Sequence, residues 1–226
     1  MALDVRAELG EALAAELGVN HCRFASCDVS SRATVEAAFA AAVEWLGGLD
    51  ILINAAGIDK PGFAPEDVPD EAYDLVMNID VRGTFLTNQA ACHAMKAGGA
   101  SGAIINFGSA AGVRGFPDRP VYSAAKAAVQ GWTRSVAQAW GKHDITVNAI
   151  APIAATEVAQ RYLDRFGPEA RRAMEEERGR ITPMGNRMGE VEQDLLPLIL
   201  LLAGPGGRYI TGQTLAVDGG RVMMGP

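Results

Sequence analysis

At 226 residues, 49% of them apolar and 21% charged, the chain has the size and balance of one globular domain with a full core. Its net charge of −7 and pI near 5.0, with no basic run, exclude a nucleic-acid backbone as partner. Cys22, Cys27 and Cys92 are odd in number and lack metal-ligand spacing, which predicts reduced, buried thiols in a cytoplasmic protein and no metal centre.

In chain order, Val5–Leu17 reads as a helix stopped by Gly18, and His21–Ala25 as a short strand running into Cys27, Asp28, Val29 and Ser30. Ser30 or Ser31 caps a helix whose Val35, Phe39, Ala42, Val43 and Leu46 form one apolar stripe, ended by Gly47 and Gly48. Leu49–Ile53 is a nearly continuous run of β-formers, the pattern of a parallel strand covered on both faces. A polar loop (59–70) precedes helical sequence to about Ala97, followed by a strand Ala103–Phe107, a helix Val121–Trp140 and a strand Ile145–Ile150. Arg161–Arg180 is a mixed-charge helical segment inside a substrate-covering stretch at about 153–190. Val191–Ala203 predicts a buried helix and Thr214–Val217 the last strand. The most apolar run, Leu195–Leu202, is too short to cross a bilayer and contains Pro197, while Asp4, Arg6 and Glu8 leave no signal-peptide core after Met1. The alternation predicts an α/β fold, a single Rossmann-like doubly wound parallel sheet with helices on both faces, spanning residues 1–226 as one domain.

The chemistry gathers between Ser109 and Lys126. Tyr122 and Lys126 stand four apart at the start of a helix, which puts phenol and ammonium on one face, one turn apart. A phenol is a poor base at neutral pH, and a nearby cation favours its anion, which makes Tyr122 a candidate general acid/base. Ser109, just beyond a strand, offers a hydroxyl to a substrate carbonyl or alcohol. Taken alone, such a Tyr/Lys pair also describes an ordinary amphipathic surface. Ligands of open α/β sheets sit outside the carboxyl ends of the strands, and Asp28, Asn54, Ser109 and Pro152 all fall at such ends. Asp4 marks the end of what would be a second strand, where an acidic group bonds the adenosine ribose hydroxyls and repels a 2′-phosphate; a helix N-cap before Val5 is compatible with that role.

These signals occur in one order: Asp28, Asn54-Ala55-Ala56-Gly57, Ser109, Tyr122-x-x-x-Lys126, Asn148-Ala149-Ile150-Ala151-Pro152, and Ile210-Thr211-Gly212-Gln213 followed by Asp218-Gly219-Gly220. In that order and spacing the chain resembles the short-chain dehydrogenase/reductase family over essentially its whole length. The resemblance implies an oxidoreductase interconverting a secondary alcohol and a ketone, with NAD preferred over NADP, a small-molecule substrate, no membrane, and a homodimer or homotetramer. It implies Ser109, Tyr122 and Lys126 as catalytic residues, supported by Asp80. It implies cofactor contacts from Asp4, Asp28, Val29, Asn54, Ala55, Ala56, Gly57, Tyr122, Lys126, Pro152, Ile153 and Thr156. Among these, Asp28 would meet the adenine edge, Lys126 the nicotinamide ribose and Thr156 the nicotinamide carboxamide. Trp132 and Trp140 fit a subunit interface and a buried core equally well.

The departures from the family pattern are specific. Ala55 stands for a usual Asn and Ile153 for a usual Gly. Asp80 stands for an Asn that helps hold a water linking the lysine to solvent. An ionised carboxylate accepts from such a water and stabilises an ammonium, but cannot donate as an amide does. Asn78 could substitute only through a local distortion of the helix. The family's first strand, Gly-rich turn and helix, roughly 30 residues, are missing, which predicts that Met1 is not the true start, that a buried-type edge at Leu49–Ile53 is exposed, and that the 226 residues bind NAD weakly. A second function stays open beside the first: a non-catalytic, cofactor-deficient member of the fold acting as partner subunit or scaffold.

Overall fold

The computed structural model describes residues 1–99, 101–155, 163 and 166–222. β1 (Ala2–Asp4), α1 (Ala7–Leu17), β2 (Phe24–Ser26) and α2 (Arg32–Leu46) lead to β3 (Ile51–Asn54). Then come α3 (Asp70–Val76), a π-helical turn (Met77–Arg82) and α4 (Gly83–Ala97), β4 (Gly102–Phe107), a short α5 (Ala111–Arg114), α6 (Pro120–Trp140) and β5 (Ile145–Pro152). α7 (Pro168–Arg180), a second π-helical turn (Val191–Leu195), α8 (Leu196–Ala203) and β6 (Thr214–Val217) close the chain. Most expected elements appear within a few residues of their expected bounds, and β6 coincides with them.

The strands form a parallel, Rossmann-like arrangement in two pieces. β1 pairs with β2, and β3-β4-β5-β6 form a four-stranded sheet in that order. One core cluster joins the pieces: Cys27, Val35 and Phe39 from the first half pack with Leu86, Met95, Ile104, Val136 and Val147 from the second. Side chains alternate across a strand, so Ile104 belongs to this cluster while Ile105, Ile150, Leu195 and Leu202 build another on the opposite face, under α8. Helices therefore cover both faces.

Two expectations are corrected here. Leu49–Ile53 is not covered on both faces. Ile53 is registered against Ile105 and Ile51 against Ala103, on the α8 side, yet they are 43% (Ile51) and 47% (Ile53) exposed. Val191–Ala203 is not a buried helix either: Leu195 and Leu202 are in the core, but Leu196, Leu200 and Leu201 are exposed, and a π-helical turn replaces its first part. The cause is the same in both places. Nothing among the described residues packs over β3 next to α8, and α1 likewise leaves Leu9, Leu13 and Leu17 exposed.

Candidate active site

α6 positions the acid/base candidates. Pro120 opens it in its first turn, and its buried stripe reads Ala125, Lys126, Val129, Gln130, Thr133, Val136 and Ala137. Tyr122, half-buried, sits on the first turn, and Lys126 Nζ lies 5.5 Å from the centroid of its ring. The short α5 seats the Ser109 segment against this helix. Gly112 makes that approach possible, since a Cβ there would come within 2.7 Å of both the Lys126 carbonyl carbon and the Ala127 nitrogen. Ser109 Oγ accepts the Ala111 N–H at 3.1 Å, and the Ser109 carbonyl accepts from Gln130 Nε2 at 2.7 Å. Gln130 was not singled out from sequence. Its signal was available: an amide four residues after Lys126, on the same buried face of the helix.

Lys126 is buried and held from two sides. Its Nζ donates to the Phe107 carbonyl at 3.1 Å and lies 3.0 Å from Asp80 Oδ2. The second contact falls outside directed hydrogen-bond geometry, so it is an ion contact, and Asp80 Oδ2 is otherwise without a hydrogen-bond partner. Asp80 Oδ1 accepts the Ile58 N–H at 2.8 Å. Asp80 belongs to the π-helical turn Met77–Arg82, a local distortion of the helix that turns Asp80 inward and leaves Asn78 exposed, so Asn78 does not take its place. Gly57 passes directly over the pair, because a Cβ there would lie 3.2 Å from Lys126 Nζ and 3.3 Å from Asp80 Oδ2.

The other marked residues fall at the carboxyl ends of strands. Asp4 ends β1, Asn54 ends β3 and Pro152 ends β5, with Ile153 next; Asp28 and Val29 follow β2. Asn54 is buried and its amide donates to Asn106 Oδ1 at 3.3 Å, tying β3 to β4. Asn106 is the hub of a wider network: it exchanges hydrogen bonds with Asn88 at 2.9 and 3.0 Å and donates to Thr133 Oγ1 at 3.1 Å. Trp132 Nε1 donates to Asn88 Oδ1, and its ring meets Phe85 and Trp140 edge-on, which puts Trp132 on the core side of α6. Asp28 Oδ1 accepts from the Ser30 N–H and hydroxyl, an ordinary turn arrangement. Val29 fills the space that Gly83 leaves by having no side chain. Ala55 and Ala56 are exposed, and Thr156 lies outside the described residues.

Asp4 is engaged by Arg6, whose backbone N–H lies 2.9 Å and Nε 3.3 Å from Oδ1. Burial pushes the Asp4 carboxyl up, and the Arg6 hydrogen bonds and charge outweigh it, leaving the group below its ordinary value. A second ion pair, also unmarked in the sequence, joins two loops beside the site: Arg119 Nη1 donates to Asp59 Oδ2 at 2.9 Å. Burial, together with the Asp118 and Asp80 charges, raises the Asp59 carboxyl despite Arg119.

Comparison with known proteins follows the same outline. A family profile described as enoyl-(acyl carrier protein) reductase matches residues 2–221. Sorbitol dehydrogenase of Cereibacter sphaeroides is 38% identical over 226 residues, covering 97% of this chain and 86% of that protein. Among solved structures, levodione reductase superposes with a TM-score of 0.88 at 30% identity, over 97% of this chain and 86% of that one. A structure described as ElxO with NADP bound gives 0.84 at 28% identity, over 97% and 86%. The chain belongs to the short-chain dehydrogenase/reductase family, and its chemistry is NAD(P)-dependent oxidoreduction.

Proposed function

We propose that the protein interconverts a secondary alcohol and a ketone, with Tyr122 exchanging the proton. The observation that carries this reading is the convergence of Tyr122, Lys126 and the Ser109 segment on one end of α6, with Lys126 anchored by Asp80 and Phe107. A bound nicotinamide supplies or accepts the hydride. Tyr122 gives its proton to the substrate oxygen in reduction and takes it in oxidation. Ser109 donates a hydrogen bond to the same oxygen, Lys126 orients the cofactor ribose beside Tyr122, and Asp80 supports the proton path. Substrates that are small alcohols or ketones agree with the sorbitol and levodione enzymes that the chain resembles.

The residues fit a dinucleotide at both ends. Asp4 and Asp28 stand where an adenosine would lie, and the exposed backbone of Ala55–Gly57 passes beside Lys126, where the nicotinamide ribose would lie. Asn54 steadies that backbone from below; Ile153, beyond β5, and Thr156 would meet the nicotinamide. Asp4 favours NAD over NADP by repelling a 2′-phosphate, with Arg6 tempering the effect. Free, buried Cys22, Cys27 and Cys92 support a reducing compartment, the cytoplasm. Family membership supports a homodimer or homotetramer.

A specific observation favours the second reading, a scaffold without cofactor. β1 and β3 are not paired with each other, so the sheet is split where the pyrophosphate of a dinucleotide would cross it. We infer that one parallel strand, with a Gly-rich turn and a helix, fits this break and covers Ile51, Ile53 and the exposed leucines of α1 and α8. Titration calorimetry decides. The 226 residues alone are expected to bind NAD weakly, and the chain carrying such a unit ahead of Met1 to bind it and turn over. Micromolar binding by the 226 residues alone overturns the inferred unit. An extended chain that folds but neither binds nor turns over gives the scaffold reading.

A further inference from the structure

The loop that follows β3 meets α6 on both sides of Tyr122. At its near end a Cβ on Gly57 would lie 3.2 Å from Lys126 Nζ, and the Ile58 N–H donates to Asp80 Oδ1 at 2.8 Å. At its far end Arg119 Nη1 donates to Asp59 Oδ2 at 2.9 Å, and the Gly62 N–H donates to the Asp118 carbonyl at 3.3 Å. Lys126 stands one turn after Tyr122 and Arg119 one turn before it. Residues 57–62 therefore run along the stretch of chain that carries the phenol.

Arg119 is itself folded onto the first turn of α6. Its N–H donates to the Phe116 carbonyl at 3.0 Å, its carbonyl accepts the Ser123 N–H at 2.9 Å, and Ser123 Oγ accepts the Phe116 N–H at 3.0 Å. Its Nε also donates to Asp118 Oδ2 at 3.3 Å. Local stability does not account for the pair with Asp59. Arg119 is the N-cap residue of α6, and a cation there has the wrong sign for the helix dipole. The two side chains are 25% (Arg119) and 24% (Asp59) exposed, and burial pushes the Asp59 carboxyl up by more than Arg119 lowers it. What the pair supplies is a fixed distance. The backbone of Ala55–Gly57 passes beside Lys126, α6 carries Tyr122, and the pair ties one stretch to the other.

We propose that Asp59 and Arg119 are positioning residues whose ion pair clamps loop 57–62 to the start of α6 and so fixes Tyr122 relative to the cofactor side of the site. The proposal rests on the oxidoreductase reading above. Hydride and proton must reach adjacent atoms of one carbonyl, so nicotinamide and phenol need fixed places, and a misplacement of about 1 Å can cost about 10²-fold in rate. Neither Asp59 nor Arg119 exchanges a proton or a hydride in this role. Each acts through the backbone that it holds.

The test combines amide hydrogen exchange by mass spectrometry on the 226-residue chain with kinetics of a cofactor-binding form, for the parent, Asp59→Asn, Arg119→Gln, the double variant and Arg119→Lys. In the parent, segments 57–63 and 115–123 are expected to be protected. Either neutral single variant speeds exchange about tenfold in both segments at once, leaves β4 unchanged, and the double variant adds little. In kinetics the neutral variants lose about tenfold or more in kcat with the NAD Kd nearly unchanged, and Arg119→Lys, which keeps charge and donor, recovers most of it. Should a single variant fail to fold by circular dichroism, the double variant, which leaves no charge of the pair unmatched, is held to the same two results. An unprotected parent, faster exchange in one segment only or throughout the chain, or an unchanged kcat overturns the proposal. If the parent shows no turnover at all, the oxidoreductase reading fails by itself, and the exchange pattern alone decides whether the clamp exists.

Discussion

Lys126 shows how one side chain can be legible by type and illegible by environment. Its spacing from Tyr122 reads directly from sequence and the family resemblance marks Asp80 as its support, but no local pattern joins it to the Phe107 carbonyl or turns Asp80 toward it. Gly57 depends on that environment: Gly57→Ala pushes a methyl to 3.2 Å from Lys126 Nζ, and the expected result is a destabilisation of about 1–3 kcal/mol in urea unfolding. Asp4→Ala is expected to lower the NAD-to-NADP ratio of kcat/KM, because the like-charge contact with a 2′-phosphate disappears; an unchanged ratio removes Asp4 from cofactor choice. Asp59 gives a pH signature. Its carboxyl is raised above 3.8 by burial and by neighbouring acids, so its folded state favours the neutral form. That contribution is fully present below 3.8 and is lost as pH rises through the higher folded value. Unfolding free energies of the parent minus those of Asp59→Asn should therefore fall across this window on going from acid to neutral pH. A difference that rises instead assigns the dominant influence to Arg119.

At the scale of elements, α6 and β4 were predictable because their apolar patterns are strong and their ends are marked by Pro120 and the residues around Ser109. The polar residues inside those patterns carry the information that pattern reading discards. Asn106 lies next to the end of an apolar strand, and only the three-dimensional pairing of β3, β4, α4 and α6 shows that its amide meets Asn54, Asn88 and Thr133 at once. Removing it strands several buried groups. Asn106→Ala is expected to cost about 3 kcal/mol, seen as a lower urea midpoint with unchanged slope. A cost near zero would mean that the network does not hold α6 in register with the sheet. The segment around α7 was less legible. α7 is a surface helix tied by its own pairs, Arg171 with Glu175 and Arg172 with Glu176, so its sequence reports contact with solvent.

Across the whole molecule, fold class followed from the alternation of strands and helices, while residue pattern predicts covered faces for β3 and α8, and only comparison with the family order predicts an exposed β3 edge. Ile51, Ile53, Leu200 and Leu201 have the composition of covered positions, and composition cannot report whether a cover is present. The same limit applies to the site: Ser109, Tyr122 and Lys126 were marked by spacing, whereas Gln130, Asp59 and Arg119 needed the folded geometry. The proposed function rests on Tyr122 transferring the proton in an alcohol–ketone oxidoreduction. The most direct measurement is kcat of Tyr122→Phe against the parent in a cofactor-binding form, with the NAD Kd measured alongside by calorimetry. A loss of about 10²–10⁴-fold in kcat with Kd nearly unchanged is expected, since the ring still packs and only the proton-transfer group is gone. Retention of more than about a tenth of kcat would contradict it.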